Sequence, residues 1–266
     1  MAWPQLQVVE NAKSGAACLD VCGVSLRFGP KTVLSEIDLS IGRREIACII
    51  GPSGSGKTTL LRLLGGLIAP SEGLVRALGE TLLKPSRKLA FVFQDYGRAL
   101  LPWRTVRDNV KLALEARRVP KNQRDAIVDR LLGQVGLALA ADSFPRQLSG
   151  GMQQRTQIAR ALAQEPDVLL MDEPFGALDA LTRQILQDEL LKLARERDIT
   201  IVFITHDLEE AIYLGDRVIA LSANPGRIAD IVEVDLPSPR DQLTTREDRR
   251  FLALRHRLYA FLTGTH

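Results

Sequence analysis

The 266-residue sequence predicts an α/β fold around a parallel sheet, and three observations carry that prediction. The runs at 45–50 (EIACII), 167–171 (DVLLM) and 200–204 (TIVFI) are short and almost unbroken in their apolarity, as in strands covered on both faces. A helical stretch at 181–195 separates the last two, so strand, helix and strand follow in the order of a crossover unit. The first run ends in a glycine-rich turn, and an apolar helical run at 60–67 comes after it.

Taken along the chain, residues 1–16 read as a loose leader without the basic-then-apolar profile of an export signal. At 18–28 and 33–41 apolar residues mostly alternate with polar ones, which predicts two half-buried strands. A further strand is expected at 88–93. Between about 105 and 164 the period becomes helical, first through Val106, Val110, Leu112 and Leu114, then through Ile127, Leu131, Leu132 and Val135. Two short β-like runs follow at 218–221 and 228–234. Pro237 and Pro239 then break the chain, and Phe251, Leu254, Leu258 and Phe261 mark the apolar face of a terminal amphipathic helix. That face is expected to pack on the core or on a second copy.

Composition excludes several classes. With 45% hydrophobic and 25% charged residues, 20 Gly and 13 Pro, the chain is neither collagenous nor disordered. No apolar stretch approaches the ~18–20 residues of a spanning helix. The net charge is +3, but residues 1–236 hold 29 basic and 29 acidic side chains. The excess lies in residues 237–266, where six Arg stand against Asp241, Glu247 and Asp248, so the body offers no nucleic-acid footprint. Cys18, Cys22 and Cys48 are an odd number in apolar runs and are expected to be buried, reduced thiols. His206, His256 and His266 are too scattered for a metal site.

The glycine-rich turn carries chemistry. Gly51, Pro52, Ser53, Gly54, Ser55, Gly56, Lys57, Thr58 and Thr59 fit G-x-x-x-x-G-K-[ST] in full, directly after a buried strand and before a helix. The glycines let successive N–H groups point at phosphate oxygens, and the helix adds the positive end of its dipole. Lys57 can reach the β- and γ-phosphates, and the Thr58 hydroxyl can join Mg²⁺. A second metal anchor follows 115 residues after Lys57, where the apolar run at 168–171 delivers Asp172. Asp172 is suited to hold Mg²⁺ through water, and Glu173 to polarise the water that attacks the γ-phosphate. The N-K-x-D motif that reads guanine is absent, which argues against a switch GTPase.

The run Leu148, Ser149, Gly150, Gly151, Met152, Gln153, Gln154 is what sets the family. With the phosphate loop, the Asp172–Glu173 pair and Thr205, His206, Asp207, it resembles the ATP-binding-cassette ATPases, in the family's order and over residues 17–236. The resemblance implies a P-loop NTPase (RecA-like) α/β core with an antiparallel β subdomain and an inserted α-helical subdomain at about 95–165. It implies ATP and Mg²⁺ as cofactors. Phe28, in place of the more usual Tyr, would stack on adenine. Gln94 would be the glutamine-loop residue, touching Mg²⁺ and the attacking water. Ala177, Leu178 and Asp179 would form the dimer-contact loop, and His206 would be the switch histidine.

The signature residues Ser149, Gly150 and Gly151 suit anion binding at a helix start. In the family they close over ATP held by another subunit's phosphate loop, which implies a head-to-tail homodimer, and Glu173 would be its general base or water-orienting group. The segments at 101–106, 108–110, 174–183 and 224–228 further resemble the nitrate/sulfonate/taurine importer group. That group works at the cytoplasmic face of the membrane on a separate permease, fed by a soluble binding protein. Leu100, Leu101 and Trp103 would then be either permease-docking or core residues. The alternative is a soluble, non-transport cassette acting on nucleic acid or ribosomes. Such proteins usually carry two cassettes or a long coiled-coil insertion, whereas here 53 residues separate Gln94 from Leu148.

Overall fold

In a computed structural model the described residues are 17–94, 99–176 and 178–263. The expected leader at 1–16, Ala177 of the dimer-contact loop and the last three residues of the terminal segment lie outside them.

Strands β1 (Leu19–Phe28) and β2 (Lys31–Ile41) pair antiparallel, from Leu19 opposite Ile41 to Phe28 opposite Lys31. They are joined by β4 (Glu72–Ala77) and β5 (Glu80–Thr81) in a sheet of order β2-β1-β4-β5. The pattern at 72–81 was not legible as strand, because Gly73, Gly79 and the charged Glu72, Arg76 and Glu80 interrupt its few strand formers. The expectation of three buried thiols needs one correction. Cys18 and Cys48 are buried, but Cys22 is exposed. Leu19 and Val21 face the core, so the regular alternation of β1 points Cys22 outward, and the register irregularity begins only after it.

The second sheet has the order β10-β9-β3-β8-β7-β6. Its strands are β3 (Ile46–Ile50), β6 (Leu89–Val92), β7 (Val168–Asp172), β8 (Thr200–Ile204), β9 (Arg217–Ser222) and β10 (Arg227–Glu233). All neighbours are parallel except β9 and β10. The nearly continuous apolar runs are explained by cover on both faces. Ile46, Cys48, Ile50, Leu169, Met171, Ile201 and Phe203 point into one core with the helices, and Ala47, Ile49, Val168, Leu170, Val202 and Ile204 into the other with the antiparallel sheet.

Helix α1 (Lys57–Leu64) follows β3. Between β6 and β7 stand α2 (Val106–Ala116), α3 (Lys121–Gln134), two short 3-10 turns and α4 (Gly150–Leu162). Helix α5 (Ala180–Arg197) is the crossover between β7 and β8, and the seven-residue α6 (Leu208–Leu214) leads from β8 to β9. The chain ends in α7 (Thr244–Glu247) and α8 (Arg249–Thr263). Phe251 and Leu258 of α8 are fully buried in this chain's own core, each contributing about 1.5–3 kcal/mol. Among the described residues no helix is long and apolar enough to cross a membrane.

Candidate active site

Sheet order builds the site. The neighbours β3, β8, β7 and β6 release at their carboxyl ends, in turn, the phosphate loop, His206, the Asp172–Glu173 pair and Gln94. Ligands of parallel α/β sheets bind at these ends, because the helices that follow leave a crevice there.

The loop at 51–56 curls between β3 and α1, with Gly56 at φ 87° as the residue before the helix. A side chain at Gly56 would be strained by that backbone, and its Cβ would stand 2.7 Å from Leu34 Cδ2. Pro52, Ser53 and Gly54 form the exposed rim, while Ser55 and Lys57 are buried and Thr58 and Thr59 half-buried. Lys57 Nζ donates to the carbonyls of Gly51 (2.8 Å) and Pro52 (3.0 Å), which holds the loop closed. Burial lowers the Lys57 pKa from the ordinary lysine value, against the opposing pull of the Glu173 and Asp172 carboxylates. Ser55 Oγ is buried without a hydrogen-bond partner inside this cradle.

Thr58 Oγ1 donates to Asp172 Oδ1 at 3.1 Å, so the two metal-ligand candidates already face one another. Burial raises the Asp172 pKa, with Glu173 adding to the rise and the Thr58 hydrogen bond opposing it. A partly buried hydroxyl–carboxylate pair beside a lysine, with an orphan hydroxyl in the same loop, has the donor set that a magnesium nucleoside triphosphate needs.

Glu173 turns the chain just past β7 with φ 41°, a left-handed conformation that costs about 1 kcal/mol or more for a non-glycine residue. Its N–H is anchored on Ile204 O at 3.0 Å. Glu173 Oε2 thereby meets His206 Nδ1 at 3.1 Å and accepts from Gln94 Nε2 at 3.3 Å. The three residues with expected catalytic roles therefore converge on one carboxylate oxygen.

The other expected residues lie on separate elements. Phe28 ends β1 with 57% of its surface exposed, free for a ring face. Ser149 caps α4, its hydroxyl accepting from Met152 N at 3.3 Å, so the Ser149, Gly150, Gly151 run does open a helix. Asp179 caps α5 through Thr182 N at 3.0 Å, and that backbone bond lowers its pKa. Of the apolar trio, Leu100 is core, while Trp103 is 71% exposed.

Three residues that the sequence did not single out hold this site together. Buried Gln157 of α4 accepts from Phe93 N (3.2 Å) and donates to Phe93 O, next to Gln94. Arg160, on the same helix, donates to Ala99 O at 2.7 Å, so the signature helix grips both ends of the glutamine segment. Arg183 donates to Leu178 O (3.0 Å) and reaches Asp207 Oδ2 (3.4 Å), linking the segment before Asp179 to the residue after His206. Their partners are 5 to 64 positions away, with no short-range pattern to betray them.

Residues 34–176 match the ABC transporter family, from just before the phosphate loop to just beyond Glu173. The chain belongs to that family. It is an ATP-binding cassette, an ATPase built on the P-loop NTPase core. A relative described as an aliphatic sulfonates import ATP-binding protein of Burkholderia cenocepacia is 48% identical over 231 residues, covering 87% of this chain and 82% of that protein. A bicarbonate transport ATP-binding protein of Synechococcus elongatus is 46% identical over 232 residues, or 86% of this chain and 35% of that longer protein. Among solved structures, the dimeric post-hydrolysis state of an ATP-binding cassette bound to ADP and Pi superposes with a TM-score of 0.72 at 33% identity, covering 81% of this chain and 98% of that one.

Proposed function

We propose that this cassette is the energy-coupling subunit of a membrane importer for a small anionic solute, with residues 17–236 as its catalytic unit. The observation that carries the catalytic part is the convergence of Gln94 and His206 on Glu173 Oε2, beside the Thr58–Asp172 pair. In this reading Lys57 Nζ and the N–H groups of residues 51–59 bind the phosphates, and Phe28 stacks on the base. Thr58, Asp172 and Gln94 hold Mg²⁺, which when bound supplies Lewis-acid polarisation of phosphate oxygens. Glu173 Oε2 orients the attacking water and takes its proton, while His206 contacts the γ-phosphate and fixes the carboxylate.

Ser149, Gly150, Gly151 and Asp179 then act on a second copy's nucleotide in a head-to-tail homodimer. One signature and one phosphate loop per chain, together with the dimeric relative of known structure, support that arrangement. The two relatives are described as ATP-binding proteins of aliphatic sulfonate import and of bicarbonate transport, and both solutes are anions, which supports an anionic solute. The inserted helices at about 95–165, with exposed Trp103 at their start, would dock on a separate permease at the cytoplasmic face of the membrane, with a soluble binding protein beyond it.

Glu173→Gln is the deciding experiment. It preserves shape and removes the proton acceptor, so steady-state ATP hydrolysis should fall about 10²-fold or more with nucleotide binding retained. Undiminished hydrolysis would sink the role given to Glu173.

A further inference from the structure

The C-terminal segment 237–263 is not part of the site, yet it grips the element that carries His206. Helix α6 starts two residues after His206 and is only seven residues long, too short to hold its own position in water. Its N-terminus is capped by Asp207, whose Oδ1 accepts from Glu209 N (2.9 Å) and Glu210 N (3.2 Å). One side packs on β3 and β9, and the other side meets the tail.

The tail holds that helix at both ends. At the carbonyl end Arg240 donates to Ile212 O (3.3 Å), Tyr213 O and Gly215 O (2.8 Å), supplying a cation where the helix leaves acceptors unpaired. In the first turn each carboxylate oxygen of Glu209 has its own tail arginine, with Arg246 Nη1 at 2.9 Å from Oε2 and Arg255 Nη1 at 3.0 Å from Oε1. The Arg246 guanidinium also lies over the ring of Tyr213, 5.1 Å from its centroid. The clamp is itself anchored, because Arg257 of α8 binds both oxygens of Asp230 on β10 and buried Phe251 and Leu258 seat α8 in the core.

We propose that Arg246 and Arg255 are positioning residues for His206, acting through Glu209 to set where α6 begins. The basic excess of the tail is then a device for holding Glu209, three residues beyond the histidine, and with it the 3.1 Å approach of His206 to Glu173. This rests on the catalytic reading above, and the experiment separates the two.

The test is the double variant Arg246→Gln, Arg255→Gln, made in the wild-type chain and in His206→Ala, with turnover, KM for ATP and thermal melting measured on all four proteins. In the wild-type background turnover should fall about tenfold while KM stays within about twofold, because the phosphate loop and Phe28 are untouched. In His206→Ala the same tail change should cost nothing further, since the group it positions is gone. Equal fractional losses with and without His206, or unchanged turnover in the wild-type background, overturn the tail's role. Full turnover in His206→Ala alone overturns the role of His206 instead. Glu209→Gln, which keeps the side-chain shape and removes the charge that both arginines hold, gives the same kinetic readout if the double variant does not fold.

Discussion

Gly226 should be as important to ATP turnover as residues inside the phosphate loop, although it lies 170 positions after it. It sits in the turn between β9 and β10, where its N–H donates to Val33 O and its carbonyl accepts from Ser35 N, both at 2.9 Å. The turn thereby ties β2, the partner of the Phe28 strand, to the back of the phosphate loop. A Cβ at Gly226 would stand 2.2 Å from the Ser55 carbonyl oxygen and 2.9 Å from Leu34 Cδ2. Real Cβ atoms do not approach closer than 3.0 Å, so Gly226→Ala must push the Ser55 peptide away by about 0.8 Å or break both backbone bonds. A displacement near 1 Å at a reacting site costs about 10²-fold, and overpacking costs about 1–3 kcal/mol of stability. We therefore expect kcat/KM for ATP to fall about 10- to 100-fold with a Tm lowered by a few degrees. Phosphate release against ATP concentration, with a melting curve on the same sample, reads both. Kinetic constants within twofold of wild type would refute the idea that this turn sets the loop.

Asp172→Asn should raise stability while removing activity. Burial, mainly, lifts the folded Asp172 pKa above its unfolded value, so the stability linked to its proton is present at acid pH and lost as pH rises through the raised value. At neutral pH the buried charge is a cost, and Asn should raise Tm by about 1–4 °C there, with the difference shrinking toward acid. A Tm at or below wild type at neutral pH would contradict the burial argument. Phe28→Ala should raise KM for ATP about 2- to 10-fold with turnover unchanged, the worth of one ring stack, and Phe28→Tyr should be neutral. An unchanged KM in Phe28→Ala would remove Phe28 from the base site.

The sequence by itself determined the sheet core, the phosphate loop, the Asp172–Glu173 pair, His206 and the helix-opening signature. Each of these is a local pattern. An apolar run of five residues buried on both faces has to end at a sheet's carboxyl edge, and the polar residues that follow it fall into the crevice there. Gln94 was singled out by the family resemblance, and it stands just past β6. Strand order was not local, and it is the order β3-β8-β7-β6 that brings Gln94, Glu173 and His206 to one oxygen.

Only the tertiary structure decided how these groups are held. Gln157 and Arg160 grip the glutamine segment from 64 and 61 residues away, Gly226 backs the phosphate loop, and tail arginines reach Glu209 across 37 and 46 residues. The missed β4 has the same origin, since a strand with so few apolar residues depends on which strand lies alongside. Catalytic chemistry demands particular side chains at particular spacings and so is written in the sequence. Positioning demands only that something of the right shape and charge arrive from elsewhere in the chain, and folding alone decides what arrives.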